Sequence, residues 1–294
     1  MAKQRRSLNG KVVAITGGAR GIGKATATAL VRRGCRVAIG DLELELAEQT
    51  ATGLGGGSIA LPLDVTDRDS FARFLDETER QLGPVDVVVN NAGIMPVTAL
   101  VDESDASIRR QLDINIYGVI VGTQLAIERL RPRGSGHIVN IASQAGKTAL
   151  PGIATYSGTK HAVVGISEAV RAELRGSGVE VHCVMPTVVN TDLTAGLSQK
   201  LIPKVEAEDV ANEIVDALEL GRFDVYVPRS NAAVTRFAAL LPRRVNEAIA
   251  RLMKADKLMF EVDHGARRAY EERAASSVSE ADEAATAVEQ RDAA

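Results

Sequence analysis

At 294 residues, with 45% hydrophobic and 25% charged side chains, the chain can bury a large core and is not globally disordered. Aromatic residues make up 3% and Trp is absent, so that core must be aliphatic. A net charge of −3 excludes a strongly basic nucleic-acid binder, and two cysteines, Cys35 and Cys183, are too few for a disulfide framework.

Short apolar runs alternate with helical patterns along the chain. Val12 to Ile15 reads as a buried strand, followed by a helix over Gly23 to Arg33. Arg36 to Ile39 and Ala60 to Leu63 are the next strands, and Phe71, Phe74, Leu75 and Leu82 mark a helix after them. Val85 to Val89, Ile138 to Ile141, Val179 to Val184 and Val225 to Val227 complete the strands. Continuous apolar strands alternating with helices predict a doubly wound parallel α/β sheet, covered on both faces. No linker or repeat divides this pattern. The expected organisation is a catalytic domain over 8–228, a helical extension over 229–270 and a disordered tail over 271–294. The basic start, with Lys3, Arg5 and Arg6, is not followed by a signal-peptide core, and Lys11 to Thr16 is too short to cross a bilayer. A cytoplasmic location is expected.

The first strand runs into Thr16-Gly17-Gly18-Ala19-Arg20-Gly21-Ile22-Gly23. Gly17, Gly21 and Gly23 would let the backbone turn tightly beneath a pyrophosphate, whose charge meets the amides of a helix N-terminus. Asp41 ends the second strand, where a carboxylate can bind adenosine ribose hydroxyls and repel a 2′-phosphate. Its alternative role is a cap for a helix over Leu42 to Thr50. Arg20 pulls the other way, since a basic residue in the loop could reach a 2′-phosphate. Together these residues favour NAD over NADP.

From these residues onward the sequence resembles a classical short-chain dehydrogenase/reductase over Leu8 to Phe223. The glycine motif, Asp64-Val65, Asn90-Asn91-Ala92-Gly93, Ser143 and Tyr156-x-x-x-Lys160 occur in the family's order, and Asn115 matches its fourth catalytic position. The resemblance implies a Rossmann-like single domain carrying a C-terminal helical extension. It implies Asn115, Ser143, Tyr156 and Lys160 as catalytic residues, with Lys160 lowering the pKa of the Tyr156 base and holding the ribose. Ser143 would hold the substrate oxygen, and Asn115 would bend its helix to position a water that relays protons to Lys160. Arg20 and Ile22 in the glycine loop, Asp64 and Val65 at the adenine, and Asn91, Ala92 and Gly93 at the floor would complete the cofactor site. So would Pro186, Val189 and Thr191, in a segment where Thr187 replaces a frequent Gly.

The implied function is NAD-dependent hydride transfer to or from a hydrophobic secondary alcohol or ketone, such as a steroid, retinoid or lipid-like carbonyl. Val188, Leu193, Leu197, Leu201 and Ile202 after Pro186, with Leu150, Pro151 and Ile153 before Tyr156, offer an apolar lining. An NADP-dependent carbonyl reductase and a catalytically silent dinucleotide-binding regulator are the alternatives. No histidine has a partner pattern for a metal. The family implies a homodimer or homotetramer through helices near Ser107 to Leu130 and Thr155 to Arg175. An amphipathic stretch over Asn231 to Met259, interrupted by Pro242, would cover the pocket, with a neighbouring subunit or a membrane surface as lesser alternatives.

Overall fold

The computed structural model describes residues 5–197, 205–252 and 263–276. Seven strands form one parallel sheet: β1 Val12–Thr16, β2 Arg36–Asp41, β3 Ile59–Pro62, β4 Val87–Asn90, β5 Gly136–Ile141, β6 Val179–Pro186 and β7 Asp224–Val227. Their order is β3-β2-β1-β4-β5-β6-β7, as the sequence pattern led us to expect of a doubly wound sheet. The winding reverses between β1 and β4. Crossovers leave these two neighbouring strands in opposite directions, which opens a crevice at their C-terminal ends.

Strand β1 shows why its apolar run is unbroken. Val13 and Ile15 face one layer, packing with Leu30 of helix α1 (Gly21–Val31) and with Ile214 and Leu218 of helix α7 (Ala207–Leu220). Val12 and Ala14 face the other, with Phe71, Phe74 and Leu75 of helix α3 (Arg68–Leu82) and Leu125 of helix α5 (Gly118–Leu130). The two-residue period of a strand demands apolar residues at every position when both faces are covered. Pro62, which has no N–H to donate, sits in β3 at the sheet edge.

Helix α2 (Leu44–Leu54) starts later than the sequence suggested, with Glu43 rather than Asp41 at its N-cap. Helix α3 is capped by Asp67, which accepts the Asp69 amide at 2.8 Å. Helices α4 (Asp105–Leu112) and α5 are joined by a π-helical turn over Asp113–Tyr117, the bend expected at Asn115. The long helix α6 (Ala154–Glu173) precedes β6.

Beyond the sheet, helices α8 (Asn231–Leu240) and α9 (Arg243–Leu252) flank Pro242, whose ring and missing N–H interrupt the helix. Val234, Phe237, Leu240, Val245 and Leu252 are exposed on them. The boundary expected for the tail needs correction. Helix α10 (His264–Ser276) runs past residue 271 and buries Tyr270 and Ala274, four residues apart on one face. An Ala- and Glu-rich segment with so few apolar residues hides this docking face from periodicity analysis. Residues 277–294 lie outside the described residues, as do Leu201 and Ile202.

Candidate active site

A cleft of about 1310 Å³ opens at the C-terminal ends of the strands. It exceeds the roughly 300–1,000 Å³ of a pocket for one small ligand. Its lining joins the glycine loop and Asp41 at one end to Ser143, Tyr156 and Lys160 at the other.

The glycine end is built for close backbone approach. Gly17 has φ +63°, the left-handed region that favours glycine. A Cβ on Gly23 would lie 2.3 Å from the Gly17 carbonyl oxygen, so no larger residue fits without moving the loop. Helix α1 begins after Arg20 with no side-chain cap and no acidic residue in its first turn. Its N-terminal amides are therefore left without a side-chain cap, a fit for a phosphate group. Gly17, Arg20, Gly21, Ile22, Asp41, Asp64, Val65, Asn91, Ala92, Gly93, Pro186, Val189 and Thr191 all line this cleft. Gly23 supports the lining from behind.

Asp41 ties the loop to the second strand. Its carboxylate accepts the Ala19 amide at 3.0 Å and the Glu43 amide at 3.2 Å. Burial pushes this carboxyl up, and the two amides oppose the shift. Arg20 is occupied by acids, pairing with Glu43 and with Asp192. Glu43 was missed in the sequence, although it stands two residues beyond Asp41 and lines the same end of the cleft. Asp64 accepts from the Thr66 amide at 2.8 Å and the Thr66 hydroxyl at 2.7 Å, and the capping of α3 falls to Asp67.

At the other end, Tyr156 and Lys160 share one face of α6 and are both buried. Ser143 follows β5, accepts the Ala145 amide at 3.1 Å and reaches the Pro186 carbonyl at 3.5 Å, on the Tyr156 side of the cleft. Burial pushes the Tyr156 phenol above its ordinary value, the Ser143 hydroxyl works against this, and nearby Tyr270 adds to it. Burial brings the Lys160 ammonium down to about 8. Lys160 Nζ donates to the Ile141 carbonyl at 2.8 Å and lies 5.6 Å from the Tyr156 ring centre.

Asn115 is fully buried behind this wall. Its side chain accepts the Ile94 amide and donates to the Ile94 carbonyl, both at 2.9 Å, and also donates to the Thr159 hydroxyl of α6 at 3.2 Å. Asn115 therefore supports the floor loop rather than lining the cleft.

Val188, Leu193, Leu197, Leu150 and Ile153 line the cleft as expected. Val234, Ala238 and Asn246, from the stretch expected to cover the pocket, line it too, whereas Met95 after β4 was not foreseen. Nor was α10. Its Arg267 has no exposed surface and donates to the Met95 carbonyl, to the Leu193 carbonyl at 3.0 Å and to the Ala195 carbonyl at 3.3 Å. Tyr270 accepts the Met95 amide at 2.7 Å, lines the cleft and stacks against Arg267 with 4.8 Å between guanidinium and ring centre. Their separation from the strand motifs in sequence left no local signal.

The sequence offered no partner for the histidines. The sheet supplies one, bringing His137 of β5 beside Glu180 and His182 of β6, at the strand ends remote from the cleft.

The model of the short chain dehydrogenase family matches residues 11–202. The chain belongs to this family. Zerumbone synthase of Zingiber zerumbet is 37% identical over 82% of this chain and 87% of its own. The human 17-beta-hydroxysteroid dehydrogenase 13 is 29% identical over 85% of both chains. A short chain dehydrogenase/reductase of Burkholderia phymatum, solved in complex with NAD, superposes with a TM-score of 0.73 and 25% identity, covering 79% of this chain and 93% of that one. The protein is accordingly a nicotinamide-dependent oxidoreductase acting on alcohols or ketones.

The glycine cradle gives a direct test. Gly23→Ala should weaken dinucleotide binding by at least about tenfold, or ~1.4 kcal/mol, in a calorimetric titration. Gly158→Ala, where an added Cβ meets nothing within 4 Å, should leave it unchanged. Equal affinities for the two variants would remove the steric argument.

Proposed function

We propose that the protein transfers hydride between NAD and a hydrophobic secondary alcohol or ketone, with Ser143, Tyr156 and Lys160 as catalytic residues and Asn115 positioning them. One observation carries this reading: a single cleft joins the glycine cradle to a buried Tyr156 and Lys160 through an apolar lining. Bound NAD supplies the hydride acceptor or donor. Gly17, Gly21, Ile22 and Gly23 hold its phosphates, Asp41 its adenosine ribose, and Asp64 and Val65 its adenine. Lys160 holds the other ribose, and Asn91, Ala92, Gly93, Pro186, Val189 and Thr191 form the remaining contacts.

Ser143 donates its hydroxyl to the substrate oxygen and stabilises charge there. Tyr156 gives its phenolic proton to that oxygen during reduction and removes it during oxidation. Its raised pKa favours the protonated acid at neutral pH. Raising the pH should therefore speed alcohol oxidation and slow ketone reduction. Tyr156→Phe should abolish this dependence and cut turnover by more than about tenfold, or ~1.4 kcal/mol, with dinucleotide affinity retained. Lys160→Ala should reduce both. Steady-state rates across pH with each variant check the assignment, and a Tyr156→Phe enzyme keeping over a tenth of wild-type turnover overturns it.

The substrate class is supported by Met95, Leu150, Ile153, Val188, Leu193 and Leu197 around the cleft, and by a relative named for hydroxysteroids. The NAD preference is supported by Asp41 with Glu43 at the ribose end and by the engagement of Arg20 with acids. The wild type should use NAD at least about tenfold more efficiently than NADP, a gap of ~1.4 kcal/mol. Asp41→Ala should narrow it by relieving repulsion of the 2′-phosphate. An unchanged ratio of kcat/KM values would leave Asp41 a purely structural tie.

A catalytic domain over 8–228 with an extension that completes its pocket is the organisation we favour. A cytoplasmic location is supported by two buried free thiols, Cys35 and Cys183. No helix among the described residues is long and apolar enough to cross a membrane. Assembly into a homodimer or homotetramer is supported by α6, where Gly158 and Gly165 present open, exposed positions seven residues apart. Light scattering at micromolar concentration should give an even subunit number, and a monomer would reject it.

A further inference from the structure

The sheet places three metal-binding side chains together at the strand ends remote from the cleft. His137 of β5 lies in register with Glu180 of β6, and His182 follows Glu180 by two residues. The strand period puts all three on one face. His137 Nδ1 and His182 Nε2 are 3.1 Å apart, and the three ligand atoms lie within 4.8 Å of one another. Two ligands bound at about 2.0–2.1 Å in a tetrahedron sit roughly 3.3 Å apart, so the imidazole pair already has that spacing.

The His182 tautomer suits coordination, whereas His137 Nδ1 donates its hydrogen to His182 Nε2 and would give up that proton on binding a metal. His182 Nδ1 is 2.7 Å from the Arg222 carbonyl oxygen, which can only accept, so Nδ1 carries the hydrogen and Nε2 the lone pair. This is the outer contact that orients metal-bound imidazoles. His182 is buried, whereas the Glu180 side chain is 34% exposed, so the cluster meets solvent at its carboxylate.

Four charged groups act on this site. Glu180 pairs with Arg6 at 2.7 Å. Lys11 and Asp86, which also act on His137, pair with each other at 3.1 Å. Arg6 is the competitor for the carboxylate. Its side chain is 44% exposed and can turn into solvent.

We propose that His137, Glu180 and His182 form a binding site for a borderline divalent transition metal of the zinc type. Two imidazoles and one carboxylate match the donor preference of such ions, whereas calcium and magnesium take oxygen sets. Binding would tie β5 to β6 and release Arg6 from Glu180. The site is separate from the hydride-transfer chemistry and does not rest on it.

The test uses the full-length untagged chain, stripped with a chelator and titrated with Co²⁺, then with Zn²⁺. One saturable visible absorption change per chain is expected, reversed by Zn²⁺. Glu180→Gln and His137→Gln, each checked for folding by circular dichroism, should weaken binding by at least about tenfold, the lower bound for loss of even an outer-sphere partner. Arg6→Ala should tighten it by removing the competitor. The proposal fails if no saturable binding occurs at micromolar metal, if either ligand variant binds as the wild type does, or if Arg6→Ala binds no tighter.

Discussion

Two side chains hold the strand ends together where the winding reverses. The Thr16 hydroxyl accepts the amides of Asn91 and Ala92, both at 3.0 Å. The Asn91 side chain returns two donors, to the Thr16 and Gly17 carbonyls, both at 2.9 Å. Backbone groups leaving a strand lose their ladder partners, and a buried one left unpaired costs about 1–3 kcal/mol. Four bonds between Thr16–Gly17 and Asn91–Ala92 meet that need. They also fix the glycine loop relative to the floor, so that the two halves of the cleft share one frame.

A second polar seam carries this frame to the catalytic helix. Asn90 at the end of β4 donates to Asn140 of β5 at 2.8 Å, and Asn140 donates to Ser167 of α6 at 3.0 Å. All three are buried. Such a chain of directed bonds fixes register where aliphatic packing tolerates sliding, even though the Asn90 Oδ1 itself is left without a partner. Asn115 adds a further tie from the π turn to α6 through Thr159. The orientation of Tyr156 and Lys160 thus rests on asparagines that do not reach the reacting atoms.

Much of this was readable in the sequence. Strands β1, β2 and β4 to β7 declare themselves by their β-branched residues, because a sheet covered on both faces leaves few polar positions, Asn90, Asn140, Glu180 and His182 among them. The glycine loop and the Tyr156–Lys160 pair were legible because their spacing is set by one turn and one helix. What was hidden depends on contacts between distant segments. Asp41 was read as a ribose ligand with a helix cap as the alternative, because both roles place an acid after a strand, and the fold gives the N-cap to Glu43. The sense of the Tyr156 shift follows from how completely the phenol is enclosed, which no spacing records. The meeting of His137 with His182 depends on the register of β5 against β6.

The clamp made by Arg267 and Tyr270 alters what kinship tells about this enzyme. Withdrawing α10 would strand a guanidinium and uncover three carbonyls on the loops around Met95 and Leu193. Helix and loops therefore act as one wall, even though the family match ends at residue 202. The glycine cradle and the Tyr156–Lys160 pair thus fall inside the span this chain shares with its family, while Tyr270, Arg273 and Ala274 bring a portion of the cleft wall from a segment beyond it.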